Sequence, residues 1–229
     1  TTNKILATLP SEEFGRVVPM FERASHAFGD RLQEPAEVIS RVYFPNEGLL
    51  VSLRSPMGCE KGVEIAMVGS EGLIGLPVAL GFGRSPVRAL VQGAGSALSM
   101  ESARFQGLLD ACPELRREVA RYTWCLIAQL TQGVACNHFL TIEGRLARWL
   151  LMATDRLYTD SLCFTQEWLA SLLGVRRVGV TLAAGNLQRR GLIRYRHGHI
   201  RIQDRAGLQA LVADCYRKPA DDLGGFPEE

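Results

Sequence analysis

Arginine side chains are concentrated in one part of this 229-residue sequence. Residues 163–201 hold one acid, Glu167, against seven arginines: Arg176, Arg177, Arg189, Arg190, Arg194, Arg196 and Arg201. The planar guanidinium group binds phosphates, and it also binds the edge of guanine through two parallel hydrogen bonds. Residues 1–140 are nearly neutral, with 13 basic residues against 14 acidic ones. This distribution favours a nucleic-acid-binding domain in the C-terminal part.

A second stretch that could bind a phosphate is GSEGLIGLPVALGFGRSP, residues 69–86. Its glycines could expose backbone N–H groups to an anion, and Arg84-Ser85 would add a cation and a hydroxyl. The same composition is also typical of a turn-rich connector that binds nothing. Both interpretations stay open at this point.

Sulfur and imidazole chemistry has weaker support. The six cysteines form no C-x-x-C pair and match no zinc or iron–sulfur spacing, which favours reduced core thiols. Cys125 and Cys136 would share a helix face, so a thiol sensor is an alternative, although no activating group is visible nearby. His197 and His199 favour a turn or phosphate role over a metal site, because no further ligand lies nearby. No catalytic grouping is present, and we expect no enzyme activity.

The arginine-rich segment has the pattern of a helix-turn-helix. Thr165 can cap a first helix that Gly174 ends, and a second helix is predicted over about 176–190. Beyond Gly191, two short strands with a turn at His197-Gly198-His199 predict a wing. The first residues of the second helix would contact base edges, and the remaining basic and polar groups would contact phosphates. The predicted DNA-binding residues are Thr165, Gln166, Arg176, Arg177, Val178, Thr181, Arg189, Arg194, Arg196 and His197.

The N-terminal part combines helical and β patterns. Residues 2–27 are predicted to be helical, with Ser11 as an N-cap. Short apolar runs separated by turn residues follow up to about residue 100, with PNEG at 45–48 as one of the turns. They predict a compact antiparallel β sandwich or barrel.

A long helix is predicted after Pro113, followed by another helix over 142–157. The first apolar stripe of the long helix has the strict heptad spacing of a coiled-coil seam with a second copy of the chain. The dimerisation residues predicted on this stripe are Leu115, Val119, Tyr122, Leu126, Gln129 and Gly133. A shorter stripe would face the chain's own β domain: Ala120, Thr123, Ile127, Leu130 and Val134. Alternatively, both stripes lie inside one monomer.

The sequence thus predicts an α+β fold with an N-terminal antiparallel β roll, a long dimerisation helix and a C-terminal winged helix-turn-helix. The expected units are 1–112, 113–140 and 141–217, followed by an acidic and disordered tail at 218–229. No apolar run is long enough to span a bilayer, and no signal peptide is recognisable. We therefore expect a cytoplasmic protein without a membrane partner.

The order of these elements, with GRLARWLL and FTQEWLASLLGVRRVGVTLAAGNLQRRGLI, resembles the Crp/Fnr superfamily of bacterial transcription regulators. The resemblance implies a homodimer, a cyclic-nucleotide-binding-like β roll and an inverted-repeat DNA operator, with RNA polymerase as a further candidate partner. It matches the family's recognition-helix arginine to Arg177. A family glutamate falls on Val178 and a later arginine on Leu182, and these departures imply a changed operator.

The resemblance also bears on cofactors. Family members with an iron–sulfur cluster carry cysteines near the N-terminus, but the first cysteine here is Cys59, so no cluster is expected. Haem is disfavoured, because the β region offers only Cys59 as a soft ligand and His26 lies just before it. The tentative effector-binding residues are Gly72, Gly75, Arg84, Ser85 and Thr131. Leu73 stands where the family has a ribose-binding glutamate, with Glu71 on the other side of Gly72, and this disfavours cyclic AMP.

Three functions follow from these observations. The first is a dimeric DNA-binding regulator with an altered or degenerate effector pocket. The second is a regulator activated by a cyclic nucleotide through Arg84 and Ser85. The third is a module that uses its winged helix to dock a protein rather than DNA; the arginine excess argues against it. The effector itself is not identified by the sequence.

Overall fold

The computed structural model describes residues 1–56 and 62–216. The predicted acidic tail and Cys59 lie outside the described residues. The α-helices are α1 (Lys4–Ala7), α2 (Ser11–Val17), α3 (Leu76–Ala79), α4 (Ser102–Ala111), α5 (Pro113–Phe139), α6 (Ile142–Leu157), α7 (Gln166–Leu173), α8 (Arg177–Arg189) and α9 (Arg205–Val212). The strands are β1 (Glu22–His26), β2 (Arg31–Gln33), β3 (Arg41–Pro45), β4 (Leu50–Ser55), β5 (Val63–Val68), β6 (Arg88–Gly93), β7 (Gly95–Glu101), β8 (Ser161–Cys163), β9 (Ile193–Arg196) and β10 (His199–Ile202).

The N-terminal strands form two antiparallel sheets, with the orders β1-β7-β3 and β2-β6-β4-β5. Alternating apolar residues of these strands bury one face of each sheet in a common core. This core includes Val42, Phe44, Val51, Val91 and Met100. The α+β class and the N-terminal antiparallel β domain predicted from the sequence are confirmed.

The predicted N-terminal helix is only partly correct. It is divided into α1 and α2, and Glu22–His26 forms strand β1, which pairs with β7. Pro19 lacks the N–H that a continuing helix needs, and pairing with β7 satisfies the backbone instead. Ser11 is the first residue of α2 rather than its N-cap, a position that Pro10 occupies.

The long helix α5 begins at Pro113, as predicted, and packs on the chain's own β domain. The stripe predicted as a self-association seam faces inward, because Leu115, Val119, Tyr122 and Leu126 are buried in the N-terminal core. The side chain of Gln129 accepts a hydrogen bond from the Met67 N–H (3.0 Å) and donates one to the Met67 carbonyl (3.3 Å).

Because β5 is an edge strand, the Gln129 amide satisfies backbone groups that would otherwise lack a partner. Gly133 lies next to the same strand: a Cβ atom added to it would be 3.9 Å from the Ile65 carbonyl oxygen. The heptad spacing along α5 therefore belongs to an intramolecular contact. The opposite side of α5 is exposed, including Trp124 (54%), Ile127 (49%) and Val134 (74%).

A second core joins α6 to the helices and strands that follow it. Thr141 caps α6 by accepting a hydrogen bond from the Gly144 N–H (3.3 Å). Leu50 and Met67, from the N-terminal sheets, are also part of this core. The C-terminal part is thus packed against the β domain and not only linked to it. No helix within residues 1–56 and 62–216 is long and apolar enough to cross a membrane.

Candidate nucleic-acid interface

Helices α7 and α8 form the predicted helix-turn-helix. The Thr165 hydroxyl accepts a hydrogen bond from the Trp168 N–H (3.1 Å) and so caps α7. Gly174 ends α7 in the left-handed conformation, with φ of 63°. Arg176 is the N-cap of α8, and its carbonyl accepts hydrogen bonds from two N–H groups of the first turn. These local signals bring the two helices together within a three-residue turn.

The inner side of α8 is apolar and buried, and its outer side is exposed to solvent. Val180, Ala183, Ala184 and Leu187 are buried in the second core, where the small alanines let α7 and α6 approach closely. The outer side presents Arg177, Val178, Thr181 and Leu182, all exposed. Val178 is 67% exposed and Leu182 64% exposed, so both apolar side chains lie in water. The predicted recognition residues thus share one uncovered helix face.

The start of α7, the start of α8 and the turn of the wing border one concave surface. Its lining residues are Thr165, Gln166, Glu167, Arg177, Tyr195, His197 and Gly198. The Thr181 hydroxyl donates a hydrogen bond to Gln166 Oε1 (2.7 Å), which couples the two helices at this surface. The Tyr195 hydroxyl donates to the Phe164 carbonyl (2.8 Å), so it supports the surface from below. Burial raises the pKa of Tyr195, and the nearby Arg177 cation opposes that shift.

The wing is a hairpin of β9 and β10 with β8 beside it. Its tight turn is His197-Gly198, with φ of 50° and 84° at the two residues, and His199 already pairs with Arg196 in the ladder. The predicted three-residue turn is therefore one residue too long. Positive φ at both central positions matches the twist of a two-residue hairpin.

Three wing arginines lie close together. Arg194 pairs directly with Arg201 across the two strands, and both line a shallow surface with Arg196, His197 and His199. Like charges directly opposite one another destabilise a strand pair, unless an anion neutralises them. This face is consequently suited to bind phosphate groups.

The arginines at the end of α8 are held by neighbouring side chains. Arg189 donates a hydrogen bond to the Asn186 side chain. Arg190 forms an ion pair with Glu143 of α6 (2.8 Å). Arg190, which was not among the predicted DNA contacts, therefore has a partner within the chain.

A buried ion pair connects the β domain to α6, and sequence reasoning missed it. Arg156 Nε lies 2.7 Å from Glu71 Oε1, with the two side chains 3% and 10% exposed. Glu71 Oε1 also accepts a hydrogen bond from the Gly69 N–H (3.1 Å). The two residues are 85 positions apart, so no local pattern could have predicted this contact.

Polar and aromatic contacts extend this connection. The indole N–H of Trp149 donates to Glu64 Oε1 (2.8 Å), and the Gln92 side chain donates to Glu64 Oε2 (2.8 Å). Burial raises the pKa of the Glu64 carboxyl, although these hydrogen bonds oppose the shift. The Arg54 guanidinium lies over the Trp168 ring of α7, 4.9 Å from its centre. Helices α6 and α7 are thus held against strands β4 and β5.

The residues predicted to bind an effector make hydrogen bonds or packing contacts within the chain. Arg84 donates to the Ala36 carbonyl, and the Ser85 hydroxyl accepts from the Val87 N–H (3.1 Å). Gly72 lies against Tyr122, since a Cβ atom there would be 2.4 Å from the ring, and Gly75 is the N-cap of α3 with φ of 92°. Thr131 is exposed on α5, and its hydroxyl donates to the Ile127 carbonyl (2.9 Å).

Comparisons with known proteins identify the relatives of this fold. The model of the Crp-like helix-turn-helix domain matches residues 144–211. No curated protein sequence matches the chain. Similar solved structures include the CRP-family regulator TTHB099 of Thermus thermophilus, which is 19% identical with a TM-score of 0.68 and covers 83% of this chain and 96% of its own. FixK2 of Bradyrhizobium japonicum is 16% identical with a TM-score of 0.70, covering 84% and 98%.

The c-di-GMP responsive regulator CLP of Xanthomonas campestris is 16% identical with a TM-score of 0.69, covering 84% of this chain and 99% of its own. At these identities the solved structures establish the shared fold. The domain match adds the type of the C-terminal helix-turn-helix. The chain therefore contains a Crp-like helix-turn-helix domain at residues 144–211, and it shares the fold of these solved regulators.

Proposed function

We propose that the chain reads a specific DNA sequence by inserting the N-terminal half of α8 into the major groove. The observation that carries this proposal is the single concave surface on which Arg177, Thr165, Gln166 and His197 meet. Arg177 would bind a guanine through O6 and N7, and Val178 would contact a thymine methyl group. The wing arginines would bind the flanking phosphates.

The test of the recognition role compares Arg177→Ala with Arg190→Ala. Arg177→Ala removes a free guanidinium at the start of α8, so we expect a loss of about 1–3 kcal/mol in specific binding, with a relaxed preference at one base pair. Arg190→Ala removes the arginine at the C-cap of α8, which is tied to Glu143, so specificity should persist. Fluorescence anisotropy with a selected duplex and with a random duplex measures both variants. An equal loss on the two duplexes with Arg177→Ala would make Arg177 a phosphate contact and contradict base readout.

We propose further that the regulator is a homodimer, which binds an inverted-repeat operator. The exposed stripe of α5, with Trp124, Ile127 and Val134, is the face that a second copy would cover. This replaces the stripe selected from the heptad spacing, which the chain's own β domain buries. A two-fold symmetric pair of α5 helices would present two α8 helices to two half-sites.

Sedimentation of Ile127→Asp tests the dimer. A charge in an apolar seam should shift the protein to monomers without unfolding it, because Ile127 is 49% exposed in the single chain. Ala206→Asp, on an exposed position of α9, is the matched control and should leave the association state unchanged. If Ile127→Asp and the parent chain sediment alike, another face must form the dimer or no dimer exists.

The effector pocket is, in this proposal, altered relative to a cyclic-AMP site. Leu73 is part of the apolar core, and Glu71 is committed to Arg156. Neither side chain is therefore available to bind a ribose hydroxyl. The alternative, activation by a cyclic nucleotide through Arg84 and Ser85, would require both side chains to exchange their present hydrogen bonds for a ligand.

Calorimetric titration with cyclic AMP, cyclic GMP and cyclic di-GMP distinguishes these possibilities. Cyclic di-GMP is included because CLP of Xanthomonas campestris is described as responsive to it. Tight binding of cyclic AMP that Arg84→Ala abolishes would contradict the altered pocket.

We also infer that the chain has three functional units, residues 1–112, 113–140 and 141–217. We infer in addition a cytoplasmic location and RNA polymerase as a further partner.

The remaining alternative is a winged helix that docks a protein. DNA binding through several arginines releases counterions, so affinity for random duplex should fall steeply between about 50 and 200 mM salt. Absence of any salt-dependent binding to duplex DNA would favour the protein-docking alternative instead.

A further inference from the structure

Two cysteines from distant parts of the chain meet at the end of the long helix. Cys136, in the last turn of α5, is 2% exposed, and its thiol donates to the backbone carbonyl of Cys215 (3.6 Å). Cys215 lies in the short 3-10 turn Ala213–Cys215 that follows α9, and it is partly exposed. Helical spacing places Cys136 on one face with Cys125, but the fold brings Cys136 to Cys215 instead.

A cation lies beside both thiols. Arg148 of α6 donates through Nε to the Cys215 carbonyl (2.7 Å). Burial lowers the pKa of Arg148, while Cys136 and Cys215 both oppose that shift. Burial and the Cys215 thiol raise the pKa of Cys136 to about 12, and the positive charge of Arg148 opposes this shift. Cys136 is buried and Cys215 is partly exposed, so Cys215 is the thiol that an oxidant in solution reaches first.

A small cavity of about 50 Å³ adjoins Cys136. Cys136, Asn137 and Arg148 contribute to its lining, next to the interface between α5 and α6. A cavity of this size with polar walls can hold a few waters or a molecule of similar size. The cavity thus leaves space beside the Cys136 side chain.

We propose that Cys136 and Cys215 form a redox modification site, at which a hydroperoxide converts the two thiols into an intramolecular disulfide. The Cys215 thiol loses its proton as its sulfur attacks one oxygen of hydrogen peroxide; the O–O bond breaks, the departing hydroxide takes that proton and leaves as water, and Cys215 becomes a sulfenic acid. The Cys136 sulfur then attacks the Cys215 sulfur and displaces hydroxide, which takes the Cys136 proton and leaves as water. Two thiols lose two electrons in total, and hydrogen peroxide is reduced to two waters.

The bond would have a defined structural effect. It would join the last turn of α5 to the segment after α9 and so enclose residues 137–214, including α7, α8 and the wing, in one covalent loop. The thiol chemistry does not rest on the proposed DNA binding.

Peptide mapping of the full chain tests this inference. After treatment with hydrogen peroxide and alkylation of the remaining thiols, trypsin should release residues 122–145 linked to residues 206–217. The first of these peptides also contains Cys125, so the same linked pair should persist in Cys125→Ser and disappear in Cys136→Ser and Cys215→Ser. Cys163→Ser, which removes an exposed thiol of the wing, is the matched control and should retain the link.

Trapping with dimedone adds a second measurement that does not depend on disulfide formation. The Cys136→Ser variant should accumulate a dimedone adduct at Cys215, because the resolving thiol is missing. The inference is overturned if the oxidised parent chain lacks the linked peptides, if the link survives in Cys136→Ser, or if a non-reducing gel shows the bond between two chains.

Discussion

The buried ion pair between Glu71 and Arg156 provides the sharpest test of how the N-terminal and C-terminal parts of this chain hold together. Glu71 lies in the connection after β5, and Arg156 lies in the last turn of α6. Glu71→Gln is the informative perturbation because the amide keeps the shape of the side chain and an oxygen for the Gly69 N–H. It removes the negative charge and leaves the Arg156 cation buried at 3% exposure.

The expected magnitude follows from the geometry. Two unit charges at the observed 2.7 Å attract one another by about 6 kcal/mol at an effective dielectric constant of about 20. The cost of removing both ions from water offsets much of this attraction, so the intact pair stabilises the fold only modestly. Breaking it leaves an uncompensated buried charge, and we expect Glu71→Gln to lower the free energy of unfolding by about 3–5 kcal/mol.

Urea unfolding, followed by tryptophan fluorescence and by circular dichroism, measures this change. Glu114→Gln is the matched control, since Glu114 pairs with Arg117 at 3.0 Å on the surface of α5, and its loss should cost less than about 1 kcal/mol. Replacement of both buried partners, Glu71→Leu with Arg156→Met, should recover most of the stability. If Glu71→Gln unfolds at the same urea concentration as the parent chain, the charge on Arg156 must find water or another partner, and the reasoning fails.

Three further predictions concern single positions. Gly72→Ala should destabilise the chain by about 1–3 kcal/mol, because the added Cβ would lie 2.4 Å from the Tyr122 ring. Gly83→Ala is the control and should be nearly neutral, because a Cβ at that position meets nothing within 4 Å. Thermal melts compare the two variants. Thr165→Ala removes the N-cap of α7 and should lower the free energy of unfolding by about 1 kcal/mol. Thr165→Ser keeps a hydroxyl for the cap and should retain most of that stability. Equal stability of the two variants in urea would contradict the capping role. Burial lowers the pKa of His26 from its ordinary 6.5, so the unfolded chain takes up the proton first, and stability should fall as the pH drops below about 6.5 toward the folded-state pKa. His26→Phe should flatten this pH dependence in unfolding measurements.

Local sequence signals predicted the helix-turn-helix and the wing. The Thr165 cap, the left-handed Gly174, the start of α5 at Pro113 and the span of α6 at 142–157 all appear in the structure. Each of these signals acts on backbone groups a few residues away, so neighbouring residues suffice to specify the conformation. The arginine excess likewise required nothing beyond composition.

Long-range packing decided the features that sequence reasoning missed. The strand at Glu22–His26 exists because β7 lies beside it, and the heptad stripe of α5 faces inward because the edge of β5 offers Met67 to Gln129. Spacing along a helix shows which residues share a face, but it does not show which partner covers that face. The same limit applies to Glu71 with Arg156 and to Cys136 with Cys215, whose separations in the chain are 85 and 79 residues. The sequence by itself thus determined the helix-turn-helix, the wing and the basic surface of this chain, whereas the tertiary structure decided which faces are covered and which distant side chains meet.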